Sequence, residues 1–307
     1  STPIKSSAAS DVYKRQGLLS DCTECRIYYS VREACCGRRR LREMKKLRFS
    51  YEMKLKFDTP VQKHRFTIRC VPQSNDRQEI RDLQVAVYPR EFLSEDQDSF
   101  GNLCIYGYSE HAHDHFSIAV SGTAKTGLAD RESEEQEYRA GAYKYPTRYT
   151  KPGDELTAYY KKLSLKRSGD SFQDALEIME RLYQDFRYMP GVTKIQTTAE
   201  DAIRLGCGVC QDYSHIMIAL CQMSGIPARY VVGMLMGEGL SHAWVEIYDG
   251  GAWRGIDPTN HTIVGDQHIK ISSGRDYDDC TINEGIFVGN ARQSQEASVI
   301  VEEIEDD

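Results

Sequence analysis

The sequence has no apolar run approaching the roughly 20 residues needed to span a bilayer, which argues against a membrane-embedded protein. It also lacks an excess of positive charge. Asp and Glu outnumber Lys and Arg by 46 to 39, a formal charge of −7, which argues against a protein built mainly to hold nucleic-acid phosphates. Cysteine is sparse: ten in 307 residues is too few for a disulfide-built miniature fold, and free thiols in a reducing, cytoplasmic compartment are the expectation. A secretory h-region is missing too, since Arg15 and Asp21 bracket only Gly17-Leu18-Leu19-Ser20. What is present is a globular composition, 40% hydrophobic and 28% charged, in a length that suits two domains.

Residues 1–43 differ from the rest. They hold nine Lys or Arg against five acids, a net of +4, which leaves −11 for the remainder. Such a break marks a tail or a segment foreign to the domain. The string SSAASDVYKRQ resembles a translated sequencing-adaptor sequence, and Met44 opens a strand-like run, so residues 1–43 are expected to be a non-native or disordered extension. Cys22-x-x-Cys25 and Cys35-Cys36 fall here. Adjacent cysteines chelate one tetrahedral ion poorly and no second pair follows, so no metal site is assigned to them.

From Leu47 to Val120 the hydrophobic period is two: Phe49, Tyr51, Met53, Leu55 and Phe57 alternate with polar residues, and shorter runs follow, separated by turn material. Residues 44–140 therefore read as an antiparallel β-sandwich. His111, His113 and His115 would share one strand face, but without a fourth ligand the reading is a polar face and no metal. After a Tyr/Pro/Gly-rich linker the period becomes helical: Phe172, Leu176, Met179 and Leu182 line one face, and Thr197-Thr198 ahead of Glu200-Asp201 is a capping-box pattern. Residues 141–295 form the second domain in this reading, an α+β unit. Residues 296–307, with five acids in the last six positions, read as a solvated acidic tail.

The chemistry concentrates in residues 206–257. Gly206 and Gly208 allow a sharp turn and close backbone approach, and a buried helix follows, ending at Ser224-Gly225-Ile226-Pro227. Cys210 falls in its first turn, where unpaired N–H groups and the helix dipole favour a thiolate and can hold an oxyanion. A cysteine nucleophile needs a base and the base an orienting group. His242–Tyr248 and Trp253–Asp257 read as strands joined by a Gly250-Gly251 hairpin turn. In that register Asp249 opposes Ala252 and Asp257 faces Trp244, two residues along from His242 on the same face. A slip of one residue would separate the carboxylate from the imidazole.

Taken together, GVCQDYSHIMIALCQMSGIPARYVVG, SHAWVEI, GIDPTN and GRDYDD resemble the bacterial transglutaminase-like family, whose fold is related to papain-type cysteine peptidases. The sandwich resembles the N-terminal β-domain that often accompanies it. The resemblance implies Cys210 as nucleophile, His242 as general base and acid, and Asp257 as the group orienting the imidazole. It implies acyl transfer on a peptide or protein substrate; the charge balance, the missing apolar run and the ligand spacings add the expectation of no nucleic-acid or membrane partner and no metal or cofactor. Hydrolysis, as a peptidase or amidase, is favoured. A transglutaminase using an amine acceptor and a non-catalytic peptide-binding scaffold are the alternatives. Tyr188, Gln196, Gly208 and Trp244 are further candidates for oxyanion or substrate contacts. Cys207-x-x-Cys210 as a redox pair is set aside, because no strand of a βαβ unit leads into it.

Overall fold

The computed structural model describes residues 44–134 and 137–305. The readings made on residues 1–43, and on the last two residues of the acidic segment, lie outside them. The chain folds as α+β with a β-rich N-terminal part, as its change of period implies. That part supplies β1 (Lys45–Ile68), β2 (Gln78–Tyr88), β3 (Phe92–Gln97), β4 (Leu103–Ser109) and β5 (His113–Thr126). Then come β6 (Glu132–Ser133), α1 (Glu137–Ala142), α2 (Asp154–Leu163), α3 (Ser171–Asp185), β7 (Arg187–Tyr188), α4 (Ala199–Leu205), β8 (Cys207–Gly208) and α5 (Cys210–Met223). The chain finishes with β9 (Ala228–Leu235), β10 (Gly237–Gly239), β11 (His242–Asp249), β12 (Ala252–Asp257), β13 (Thr262–Ile263), β14 (His268–Gly274), β15 (Asn283–Val288) and β16 (Gln293–Glu303). Among the described residues no helix is long and apolar enough to cross a membrane.

β1 is the spine of the sandwich. Leu47, Phe49, Tyr51, Met53, Leu55 and Phe57 point inward and are buried, while Arg48, Glu52, Lys54 and Lys56 stay exposed. Its first half pairs with β5 and β16; a register shift around residues 57–61 then carries it into the other layer, where it pairs with β4 and β15. One strand thus serves both sheets, and the apolar face it buries is continuous.

The stretch read as an acidic tail is corrected here. Gln293–Glu303 is a strand, paired with β1 from Leu47↔Glu303 to Phe57↔Gln293. Val299 and Val301 are buried against the sandwich core and the intervening Glu296, Ser298, Ile300 and Glu302 face outward. Glu296 and Glu302 thus sit on the solvent side of a period-two pattern that runs to Glu303. β15 and β16 return from the second part of the chain to pair with β1 of the first.

The second part is an antiparallel sheet in the order β13-β12-β11-β9-β14, covered by helices. α5 is nearly all buried, with Ile216, Met217 and Leu220 packed against Met179 and Leu182 of α3 and Val245 and Ile247 of β11. α4 begins with Thr198 capping: its hydroxyl accepts from Asp201 N at 3.2 Å. Glu200 serves a different helix, its carboxylate accepting from Gly153, Glu155 and Leu156 at the start of α2. Met234, Ile269 and Ile271 of the second sheet belong to the sandwich core, so the two parts pack as one body.

Candidate active site

Cys210 is the first residue of α5. The approach to it is set by Gly206, which ends α4 in the left-handed region at φ +67. Gly208 follows, and a Cβ there would overlap the Asp212 carboxylate. Asp212 Oδ2 accepts from Val209 N at 2.7 Å and from the Thr193 hydroxyl at 2.7 Å, fixing the backbone just ahead of Cys210. Burial pushes the Asp212 carboxyl up to about 6, against those two hydrogen bonds, which hold it down. Of the six free cysteines among the described residues, five are buried and Cys210 is partly exposed.

His242 and Asp257 come together through the hairpin. Gly250 and Gly251 take φ +59 and +85, and the pairing runs from Asp249↔Ala252 to Val245↔Ile256, the register expected of a Gly-Gly turn. His242 Nε2 lies 2.7 Å from Asp257 Oδ2. The carboxylate is fully buried and accepts more than that one bond. Oδ1 takes Thr259 N at 3.0 Å and Asn260 N at 3.2 Å; Oδ2 also takes Asn260 Nδ2 at 2.7 Å and faces His268 Nε2 at 3.5 Å. With Nε2 donating to the carboxylate, the neutral His242 ring has its lone pair on Nδ1. Burial works against charge on His242, but Asp257 and then Cys210 outweigh it and raise the imidazolium to about 10. Burial likewise opposes ionisation of Asp257, yet the His242 and His268 contacts hold its carboxyl well below the usual carboxylate range.

Trp244 is fully buried beneath this pair, edge-on to His268 at 5.3 Å and 6.2 Å from the His242 ring. Gly233, opposite His242 on β9, makes room for it, since a Cβ there would overlap the indole. Trp244 and Gly208 therefore shape the site through packing. Tyr188 pairs in parallel with Gly208 through β7 and β8 and is half-exposed. Burial and then the neighbouring Cys210 push its hydroxyl pKa up. Gln196 lines the same cleft as Cys210, a cavity of about 230 Å³. The far side of that cleft is made by the sandwich: Tyr51 and Met53 of β1, Gln295 and Ala297 of β16.

Asp212, Asn260 and His268 were missed by the sequence reading. Asp212, three residues past Val209, and Asn260, closing a turn begun by Asp257, each carry a local signal of capping or an Asx turn. His268 has none, because β14 reaches the site by pairing with β9. His215 is buried between Tyr149 and Tyr230, and its Nε2 accepts from Tyr277 N at 3.2 Å. The three histidines near residue 113 find separate partners: His111 meets Glu91, His113 meets His64, and His115 meets Asp114. Among the described residues no group of three or more His, Cys, Asp or Glu is arranged to hold a metal.

Residues 157–258 match the family model of the transglutaminase-like superfamily, and residues 47–125 that of the bacterial transglutaminase-like N-terminal region. An uncharacterized protein of Mycobacterium leprae is 34% identical over 167 residues, covering 51% of this chain and 58% of its own length. One from Mycobacterium tuberculosis is 32% identical over 134 residues, 38% of this chain and 43% of its own. The chain thus spans about half the length of the curated relatives it matches. Among solved structures, a "putative cysteine protease" from Cytophaga hutchinsonii superposes with a TM-score of 0.71 at 24% identity, over 86% of this chain and 92% of that one. That likeness is one of fold.

Proposed function

The chain carries a transglutaminase-like core behind a bacterial transglutaminase-like N-terminal region, and from that premise we propose that it is a cysteine-dependent acyl-transfer enzyme cleaving amide bonds through a thioester, a peptidase or amidase. One observation carries the reading. A mostly buried imidazole lies 2.7 Å from a fully buried carboxylate, beside the cleft lined by Cys210, the one free cysteine among the described residues that is not buried.

In this mechanism Cys210 Sγ attacks the substrate carbonyl and a C–S bond forms. The amide ends of α5 and its approach stabilise the oxyanion, with Tyr188 and Gln196 as side-chain candidates for the same task. The tetrahedral intermediate collapses, the C–N bond breaks, and His242 Nδ1 gives its proton to the leaving amine. Asp257 holds the ring and balances its positive charge throughout. Water then attacks the thioester while His242 takes its proton, and the acid and free Cys210 are released. Partial exposure of Cys210 leaves water able to compete as acceptor, which supports hydrolysis over transfer to an amine. The substrate is a peptide or protein, and the compartment a reducing one, in keeping with the low cysteine content.

The test is alkylation by iodoacetamide across pH with the modified residue located by mass spectrometry. Cys210 should be labelled ahead of the buried cysteines and well below pH 8, and His242→Ala should slow it about tenfold or more, since it removes the adjacent positive charge. Turnover of peptide amides that disappears in Cys210→Ala, with no need for added amine, completes the case. Even labelling of all the cysteines, or amide turnover surviving in Cys210→Ala, would sink it.

A further inference from the structure

The cleft has two walls of different origin. One comes from the core around Cys210, with Gln196, Val232 and Ala243 among its residues. The other comes from the sandwich, where Met53 pairs with Ala297 and Leu55 with Gln295 across β1 and β16. The side chains of Tyr51, Met53, Gln295 and Ala297 lie on one face of this ribbon, the face turned to the cleft. The ribbon is also tied to the site from behind. β10, in the connection leading to His242, pairs with β16 at Gly239↔Val299 and Glu238↔Ile300.

The charges around the cleft are already engaged. Arg148 meets Asp278 at 2.7 Å, and Glu284 meets Arg69 at 3.5 Å. Apart from Cys210, the rest of the lining is uncharged: apolar side chains, the amides of Gln196, Gln211, Asn283 and Gln295, and hydroxyls such as Ser241 and Thr281. A charged group entering this space would lose hydration without gaining a counter-ion, whereas an uncharged side chain would meet the partly exposed Ala297 and Gln295, backed by the buried Met53. We infer that the β1–β16 ribbon is a substrate-selecting wall, and that it takes an uncharged side chain from the acyl part of the substrate while Cys210 attacks the carbonyl. This rests on the acyl-transfer reading and assigns the sandwich a direct part in specificity.

The test compares two probes on the same thiol of the full chain. Iodoacetamide is small and needs no wall; a benzyloxycarbonyl-dipeptidyl fluoromethyl ketone presents a peptide to the cleft. Ala297→Phe should lower the ratio of peptidyl to iodoacetamide labelling rates at Cys210 by about tenfold or more. Ser298→Phe, one position along on the solvent face of the same strand, should leave that ratio unchanged and controls for damage to the strand. In the unmodified protein, a peptidyl probe carrying Leu or Gln next to the reactive ketone should label about tenfold faster than one carrying Asp or Lys. An unchanged ratio in Ala297→Phe, an equal fall in Ser298→Phe, or equal rates for neutral and charged probes would each overturn the wall. Because both rates are read on Cys210 itself, a thiol of ordinary reactivity would defeat the acyl-transfer reading while the ratio still decides the wall.

Discussion

Replacing Asp257 by Asn tests the electrostatic centre of the site. The carboxylate accepts hydrogen bonds on both oxygens, from Thr259 N and Asn260 N on Oδ1 and from His242 Nε2 and Asn260 Nδ2 on Oδ2. A carboxamide has one acceptor oxygen and one donor NH₂, so either orientation sets a donor against a donor. That mismatch should cost about 1–3 kcal/mol of stability. The larger effect is on His242. Its imidazolium is raised from 6.5 to about 10; at about 1.4 kcal/mol per pH unit that is at most roughly 5 kcal/mol of preference for the charged ring. Asn removes the larger influence that favours the charged ring and leaves the burial, with Cys210 alone still opposing it, so the midpoint of His242 should fall below 8 and the charged fraction at pH 7 should drop. As the general acid for the leaving amine is then weakened, kcat/KM for an amide should fall by about 10²–10⁴. Nitrogen-15 correlation spectra of the histidine side chains, followed from pH 4 to 11, read the midpoint directly. A His242 midpoint above 8 in the Asn variant would refute this account. Linkage gives a second readout. A group whose folded pKa is raised stabilises fully below its unfolded value and loses that contribution as pH climbs through the folded one. Wild-type stability should therefore decline between pH 6.5 and 10 by a component reduced in Asp257→Asn.

Burial lowers His64 to about 4, with His113 adding to the effect, and burial lowers His215 to about 3. A base lowered in the folded state leaves stability complete above about 6.5 and drains it as pH falls, so urea unfolding should show loss from pH 6.5 downward, shallower by up to about 1.4 kcal/mol per pH unit in His215→Gln. Gly208→Ala should displace the Asp212 carboxylate from Val209 N and cost at least tenfold in Cys210 alkylation rate, a larger effect than its change in melting temperature would suggest. Val299→Asp places a carboxylate in the sandwich core and should destabilise the protein by about 3 kcal/mol, measured by denaturant titration; a solvated tail would tolerate it.

The parts of the site that the sequence made legible are those whose geometry is local. Cys210 at a helix start follows from glycines before it and apolar spacing after it. The approach of Asp257 to His242 follows from a two-residue turn, since once Gly250-Gly251 fixes the register every pair along the hairpin is determined. His268 could not be found this way. Its strand joins β9 with a register shift between Lys270 and Ser272, and nothing near it in sequence announces that pairing.

The same reasoning explains why the last strand was not seen in the sequence. Charge counting treats acids as solvent-seeking and assigns them to a tail, but a strand with one wet face carries acids without leaving the fold. Joining the two parts depends on contacts of very long sequence separation, which composition does not encode. β1 pairs with β16 across nearly the whole chain. Beneath the hairpin, the fully buried Glu246 meets Arg229 at 2.6 Å, Lys270 at 3.0 Å and, from the sandwich side, Arg77 at 3.6 Å. Glu246 shares the β11 face of His242 and Trp244. A buried ion cluster of this kind gives little net stability over an apolar packing, yet losing one partner leaves an uncompensated charge, so it penalises any misplacement of the sandwich against the core. The strand that presents His242 is thereby held in one position relative to the wall opposite Cys210, and the site depends on both parts of the chain, although Cys210, His242 and Asp257 all come from the second.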